Sequence, residues 1–393
     1  MTDLLLVINA GSSSLKFQVH QISGSQSLTF AYGGQIAGIG GPGPWFRVHD
    51  MNGETLVSQT LAIKEACDLR TAQNILAEWM RKEIHPEPVA VGHRIVHGGS
   101  RFTQSVIIDE EVLRELDSLA PLAPLHQRNN LAPVYVLREH WPQITQVACF
   151  DTAFHRTYDN VVQRFAIPQA LYSRGVRRYG FHGLSYDYIS QALRRDLPEV
   201  ARGKVIAVHI GSGASACAML DGRSVDSTMS FTPLDGIPMS TRPGHLDAGV
   251  VLWMLEQGYS HDEIQHVLYY ESGLKGLSGV SGDVRDLLAS DSSSARLAID
   301  YFTYRCAESL AGLCVATRGL DALVFTAGVG ENSPAIRAGI CERLDWMGIH
   351  IDTPSNEAGS LCISSPESAV GVYIIPTNEE AVIARQTLDQ ILK

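Results

Sequence analysis

The sequence has no Walker A pattern, no C-x-x-C pair, no low-complexity stretch and no long apolar run. Without G-x-x-x-x-G-K-[ST], a bound nucleotide has to be cradled by some other backbone. The seven cysteines, Cys67, Cys149, Cys217, Cys306, Cys314, Cys341 and Cys362, are odd in number and widely scattered. That pattern points to free thiols in a reducing cytoplasm and away from a disulfide frame or a zinc site. The early apolar run Leu4–Ile8 stops at Asn9 and a Gly-Ser turn, too short for a signal-peptide core, and nothing approaches the ~20 residues of a membrane span. Positive charge is also scarce. With 31 Lys and Arg against 42 Asp and Glu, the net charge is -11. Phosphate backbones and anionic lipid are therefore poor partners, although a small anion can still be held by a locally basic site.

What is present is ordinary globular material, 45% hydrophobic and 19% charged over 393 residues, so disorder is not indicated. One core usually stops growing near 250–300 residues, so two domains are expected. Leu4–Ile8 reads as a buried strand, residues 11–14 as a turn and Leu15–His20 as a second strand. Residues 33–43 are glycine-dense and read as loop. Residues 65–84 show helical spacing, Val89–His93 is a strand, Asp109 starts a helix, and Thr145–Phe150 is a strand ending at Asp151. The pattern then restarts: strand Lys204–Ile210, turn Gly211-Ser212-Gly213, strand Ala214–Leu220. A duplicated two-lobed architecture follows, one Gly/Ser hairpin per lobe facing a shared cleft. Ser292–Ser294 offer N-caps for a helix over residues 295–317. Leu323–Thr326 and residues 370–375 are strands, and a helix closes the chain after Asn378. Strands and helices mix throughout, so the class is α/β.

The motifs are weak one by one. Gly38-Ile39-Gly40-Gly41-Pro42-Gly43 fits G-x-G-x-x-G, but a strand-like segment follows it where a dinucleotide site needs a helix. Gly/Ser turns at Gly11–Ser14, Gly211–Gly213 and Gly328–Gly330 let backbone N–H groups approach phosphate oxygens, with Lys16 beside the first. His93 and His97 lie four apart on an extended segment, which separates them; His93 reads as a satisfied structural histidine. Arg94, before Gly98-Gly99, suits bidentate recognition of a carboxylate, or a surface salt bridge. Asp151 caps a turn or orients Mg²⁺ through water. His182, between an aromatic ring and a glycine, and Arg242 both sit in loops from which they reach a ligand.

Taken together these segments resemble the acetokinase family. Asn9-Ala10-Gly11-Ser12-Ser13-Ser14-Leu15-Lys16-Phe17 resembles its first signature, and Arg178-Tyr179-Gly180-Phe181-His182-Gly183 its second. Residues 92–99, 121–126, 150–155, 327–332 and 376–380 fit in the expected order. The resemblance implies a two-lobed fold of the actin, sugar kinase and Hsp70 ATPase type, with a duplicated core and an interlobe cleft. The lobes are expected at 1–150 plus 380–393 and at 151–379. It implies ATP-dependent phosphorylation of acetate, Mg²⁺ (or Mn²⁺) as cofactor, ATP and ADP as co-substrates, and a homodimer. Asn9 and Glu379 would hold the metal. Lys16, His209, Ile210, Gly211, Ser212, Gly213, Asp283, Val284, Arg285, Gly328, Val329, Gly330, Glu331 and Asn332 would line the nucleotide site. Arg94 would hold the substrate carboxylate, with His126 nearby, and Val96, Leu125, Phe181 and Pro233 would form the acyl pocket. His182 and Arg242 would stabilise the transition state, and Asp151 is the residue labelled catalytic. The chain departs from the family pattern at Ser212, where asparagine is common, and at Leu184-Ser185-Tyr186, where Thr-Ser-His is usual.

A carboxylate is already ionised at neutral pH, so attack on phosphorus needs no general base, and Asp151 is expected to position rather than abstract a proton. The alternatives are a propionate or other short-chain carboxylate kinase, a member with another donor such as pyrophosphate, and a non-catalytic actin-like binder. Arg94, Asp151, His182 and Arg242 occurring together speak against the last.

Overall fold

Residues 3–11, 13–24, 27–123 and 126–393 are described in the computed structural model. Ser12 of the first hairpin and Leu125 of the expected acyl pocket lie outside them. Contacts divide the chain into two units: residues up to Phe154 together with Asn378–Lys393, and His155–Thr377. Asp151 and Glu379, at the junctions of the lobes read from sequence, both belong to the first unit. Asp151 directly follows the strand Thr145–Phe150 of the first sheet, and Glu379 opens the helix packed on that sheet.

The first unit is built on β1 (Asp3–Ala10), whose residues after Asp3 are all buried. Apolar residues in consecutive positions are what a strand covered on both faces requires. It pairs antiparallel with β2 (Ser14–Ser23) and parallel with β6 (Ala90–Ile95). With β3 (Ser27–Ala37), β4 (Trp45–Asp50), β5 (Thr55–Thr60), β7 (Val106–Ile107) and β8 (Thr145–Phe150), the sheet runs β5-β4-β3-β2-β1-β6-β8-β7. One face packs on the helix Leu69–Glu83 through Leu6, Ile8, Phe17, Phe46 and Trp79. That helix starts four residues later than its periodicity predicts, because Asp68 and Thr71 form a reciprocal cap there. The closing helix Glu379–Ile391 lies against β6, where a Cβ on Gly92 would stand 2.1 Å from Thr387 Oγ1 and 2.7 Å from Ile383 Cγ2. Glycine is what lets the backbones approach; an alanine would overpack the contact by about 1–3 kcal/mol.

The second unit repeats the scheme. β9 (Lys204–Ile210) pairs antiparallel with β10 (Ala214–Leu220), β10 antiparallel with β11 (Arg223–Ser227), and β9 parallel with β12 (Ala322–Thr326), which is parallel to β13 (Gly371–Ile374). The order β11-β10-β9-β12-β13 matches β3-β2-β1-β6-β8 of the first sheet, so the core is duplicated. The expected helix near residue 295 is present as Ser293–Thr317, capped by Ser292.

One expectation fails. The glycine-dense stretch read as loop from residue 33 is strand as far as Ala37. A Cβ on Gly34 would meet the Arg47 carbonyl at 2.5 Å and the Phe17 ring at 2.6 Å. Glycine there serves close packing, and only the turn from Gly38 uses it for backbone freedom.

Candidate active site

Two constellations form, one in each unit. In the first, Asn9 ends β1, Arg94 ends β6, Asp151 follows β8, and Glu379 and Glu380 open the last helix, so strand ends and a helix start gather them. Arg94 is locked to Asp151, with Nη2 donating to Oδ2 at 2.7 Å and Nε at 3.2 Å. Its Nη1 makes a long 3.4 Å contact to Asn9 Oδ1. The Asn9 amide donates to Glu379 at 3.1 Å and Glu380 at 2.9 Å. Burial opposes the charge on Arg94, but Asp151, Glu379 and Glu380 outweigh that and push its pKa up. Asp151 is 1% exposed, so this ion pair is shielded from water on the acid's side. Asn130 ties the region together, accepting from Val96 N at 2.9 Å and donating to Ala10 O at 2.7 Å.

The donor chemistry around Asn9 is hard oxygen from an amide and two carboxylates. Mg²⁺ keeps several waters and takes one or two protein carboxylates besides substrate phosphates, so these residues fit it. Among the described residues no group of three or more His, Cys, Asp or Glu is arranged as a metal cage; Mg²⁺ does not need one.

The other expected residues of this unit fall as follows. Val96 is buried, and His126 begins the helix Gln127–His140. His93 Nε2 donates to Gln146 at 2.7 Å, and burial lowers its pKa to about 4, as befits a structural histidine. Lys16 is exposed on the sheet in a hollow of about 280 Å³ with Arg47, His49 and Glu380.

In the second unit, the loop carrying His182 is heavily anchored. Arg178 pairs with Asp226 at 2.9 Å, Tyr179 N donates to Ser230 O at 2.9 Å, and His155 Nε2 donates to Phe181 O at 2.9 Å. His182 itself is left-handed, with φ 55°, an uncommon state for a residue with a Cβ and one that surrounding structure must impose. It precedes the helix Gly183–Asp196 and stacks on His209 with centroids 4.2 Å apart and planes at 16°. Their Nδ1 atoms each meet a serine at 2.8 Å, Ser215 for His182 and Ser185 for His209. Arg242 Nη1 donates to the Pro233 carbonyl at 2.7 Å. A Cβ on Gly213 would lie 2.8 Å from Arg242 Nη2 and 3.2 Å from His182 Nε2. Glycine at 213 thus keeps both side chains against the β9–β10 turn, which is closed by Gly211 N donating to Gly213 O at 2.8 Å.

Beside this turn is a cavity of about 520 Å³. Ile210, Gly211, Ser212, Asp283, Val284, Arg285, Gly328, Val329 and Asn332 line it, all of them residues that the resemblance assigns to a nucleotide site. Met239, Leu274 and Phe302 add an apolar wall that no motif announces. Asp283 is paired to Arg285, whose hydrogen bond holds its carboxyl below the usual range. Glu331 faces elsewhere, its carboxylate accepting from Thr377 N at 3.1 Å. The segment 328–332 is a short helix, not a plain turn. It is held by Arg337, 1% exposed, which donates to the carbonyls of Gly330, Glu331 and Asn356 and to Asn356 Oδ1 at 2.6–2.9 Å. A guanidinium that satisfies carbonyls at a helix end is stabilised by their partial negative charge.

The acetokinase family model matches residues 4–385. The acetate kinase of Nitrobacter hamburgensis is 49% identical over 391 residues, covering 99% of this chain and 96% of that protein. Among solved structures, Porphyromonas gingivalis acetate kinase has TM-score 0.85 at 35% identity, covering 99% of this chain and 100% of that one. A Francisella tularensis propionate kinase has TM-score 0.90 at 33% identity with the same coverage. The chain belongs to the acetokinase family.

Proposed function

We propose that this protein is an acetate kinase, moving the γ-phosphoryl group of ATP to acetate, reversibly, to give acetyl phosphate and ADP. The observation that carries this reading is the placement of His182 Nε2 and Arg242 Nη2 at Gly213, adjoining the turn residues that line the large cavity. A nucleotide donor suits the cavity better than pyrophosphate. Met239, Leu274, Val284 and Phe302 offer an apolar slot for a purine ring, which pyrophosphate has no use for. Backbone N–H groups at Gly211–Gly213 would meet the phosphates, and His182 and Arg242 would take charge developing on the transferred group.

The acceptor belongs to the first unit. Asp151 holds one edge of Arg94, and the Nη1 edge is turned to the substrate carboxylate. Asp151 is therefore a positioning group for Arg94; an acceptor that is already ionised needs no base. Asn9 and Glu379, with Glu380, would hold Mg²⁺, which when bound supplies charge neutralisation for the phosphoryl oxygens. We also assign a cytoplasmic location, supported by seven free cysteines. A homodimer is supported by the helix Ala248–Glu256, which leaves Leu252 62%, Trp253 56% and Leu255 49% exposed on one short element.

The test is acyl phosphate trapping with hydroxylamine, using ATP, Mg²⁺ and a series of acids from formate to butyrate. Hydroxamate formation greatest with acetate supports the reading. Greater turnover of propionate would move the assignment to that acid, and turnover with pyrophosphate in place of ATP would overturn the donor.

A further inference from the structure

The fully buried phenol of Tyr186 has no part in the chemistry above, yet its hydroxyl lies 2.5 Å from Ser215 Oγ, which in turn lies 2.8 Å from His182 Nδ1. The fold makes this chain of contacts inevitable. Tyr186 is on the first turn of the helix that His182 begins, and Ser215 on β10 is the direct cross-strand partner of His209 on β9.

The direction of the protons follows from counting them. The phenol oxygen also faces the backbone N–H of His209, which can only donate. The tyrosine proton then goes to Ser215 Oγ. Ser215 has one proton left to give, and it goes to His182 Nδ1. The imidazole must accept at Nδ1 and carry its own proton on Nε2, the atom beside Gly213 and Arg242. Protonating Nδ1 would make Ser215 Oγ accept from both the ring and the phenol, and would take from the serine's own proton the acceptor it has here, in a buried site. Arg242 and the stacked His209 face the same ring and further disfavour a second positive charge there.

We propose that Tyr186 and Ser215 are positioning residues that fix His182 as a neutral imidazole with its proton on Nε2, so that it meets the transferring phosphoryl group as a hydrogen-bond donor. The last clause rests on the carboxylate kinase reading; the tautomer does not.

The experiment separates the two. Protein labelled with ¹⁵N-histidine is studied by NMR at neutral pH without substrates, the His182 signals being identified by their loss in His182→Gln. The native protein should show a neutral ring protonated on Nε2. Tyr186→Phe removes one oxygen and Ser215→Ala one hydroxyl, and each should shift the ring towards a mixture of protonation states, while Ser215→Thr keeps the native pattern. A native ring protonated on Nδ1, or identical spectra in native protein, Tyr186→Phe and Ser215→Ala, overturns the relay. In steady-state assays both variants should lose kcat by about tenfold or more, with KM for ATP and acetate within about twofold. Altered spectra with unchanged kcat would keep the relay and overturn the role of His182 in transfer. Circular dichroism matching the native protein confirms that each variant is folded.

Discussion

The Arg94–Asp151 pair should show an asymmetric cost when it is broken from either side. The two charges meet at 2.7 Å, with side chains 15% and 1% exposed. At an effective dielectric near 20, opposite unit charges about 4 Å apart attract by roughly 4 kcal/mol, and removing one partner of a buried pair typically costs about 3–5 kcal/mol. Arg94→Ala takes the guanidinium from Asp151, which has almost no contact with water, so the upper part of that range applies. Asp151→Ala strands Arg94, but Glu379 remains 3.9 Å away and Asn9 3.4 Å away, so the cost should fall to about half. Urea unfolding followed by tryptophan fluorescence and circular dichroism gives both numbers without reference to activity. The double variant should be less destabilised than the sum of the singles, because the two charges that attract each other are then removed together. Equal losses, or a larger loss for Asp151→Ala, would refute the claim that burial of the acid dictates the energetics here.

Arg242→Ala should leave the fold intact and lower kcat by roughly 10²-fold or more, measured in a coupled kinase assay; near-native turnover would remove it from the transition state. Arg337→Met should cost about 3 kcal/mol or more by leaving several buried carbonyls unpaired, and should weaken ADP binding in calorimetry while leaving Arg94 chemistry alone. His20, His93 and His155 are each lowered by burial to about 4, from an ordinary 6.5. The unfolded chain therefore binds more protons, and stability present above pH 6.5 is lost as pH falls towards 4, by up to about 3 kcal/mol per histidine. Equal unfolding free energies at pH 7 and pH 5 would contradict that burial. Trp253→Glu, on an exposed apolar helix, should give monomers in sedimentation velocity if that helix forms the dimer contact, and a dimer unchanged by the substitution would place the interface elsewhere.

Much of the fold was legible because its strands are unusually plain. Leu4–Ile8 and Val205–Val208 are apolar in consecutive positions, and a small-residue turn follows shortly after each, so the duplicated hairpin showed in the sequence. The sheet order did not, since nothing local states which strands run parallel. Gly33 and Gly34 misled because a glycine that makes room for a phenylalanine ring looks the same in sequence as one that makes a turn. At the site, residues with a nameable chemistry stood out: Arg94, Asp151, His182, Arg242. Their supports did not. Tyr186, Ser215 and Arg337 are common residue types with no spacing rule, and their meaning comes only from what the fold sets beside them. Arg94 shows the limit from the other side. Its type suggested a carboxylate ligand, and nothing in the sequence told that Asp151 would hold one edge of it.

Asn9 and Glu379 touch although 370 residues separate them in the chain. β1 is synthesised well before the helix Glu379–Ile391, and its sheet cannot receive that covering helix until the whole second unit has been made. At 5–20 residues per second, the stretch from Phe154 to Asn378 takes roughly 10–45 s to make. Throughout that interval the β6 surface around Gly92 is bare, and Asn9 has no carboxylates to hold. A message cut short, or a ribosome that stalls, would therefore release a chain unable to gather its acidic cluster. The helix Glu379–Ile391 thus ties completion of the first unit to synthesis of the second.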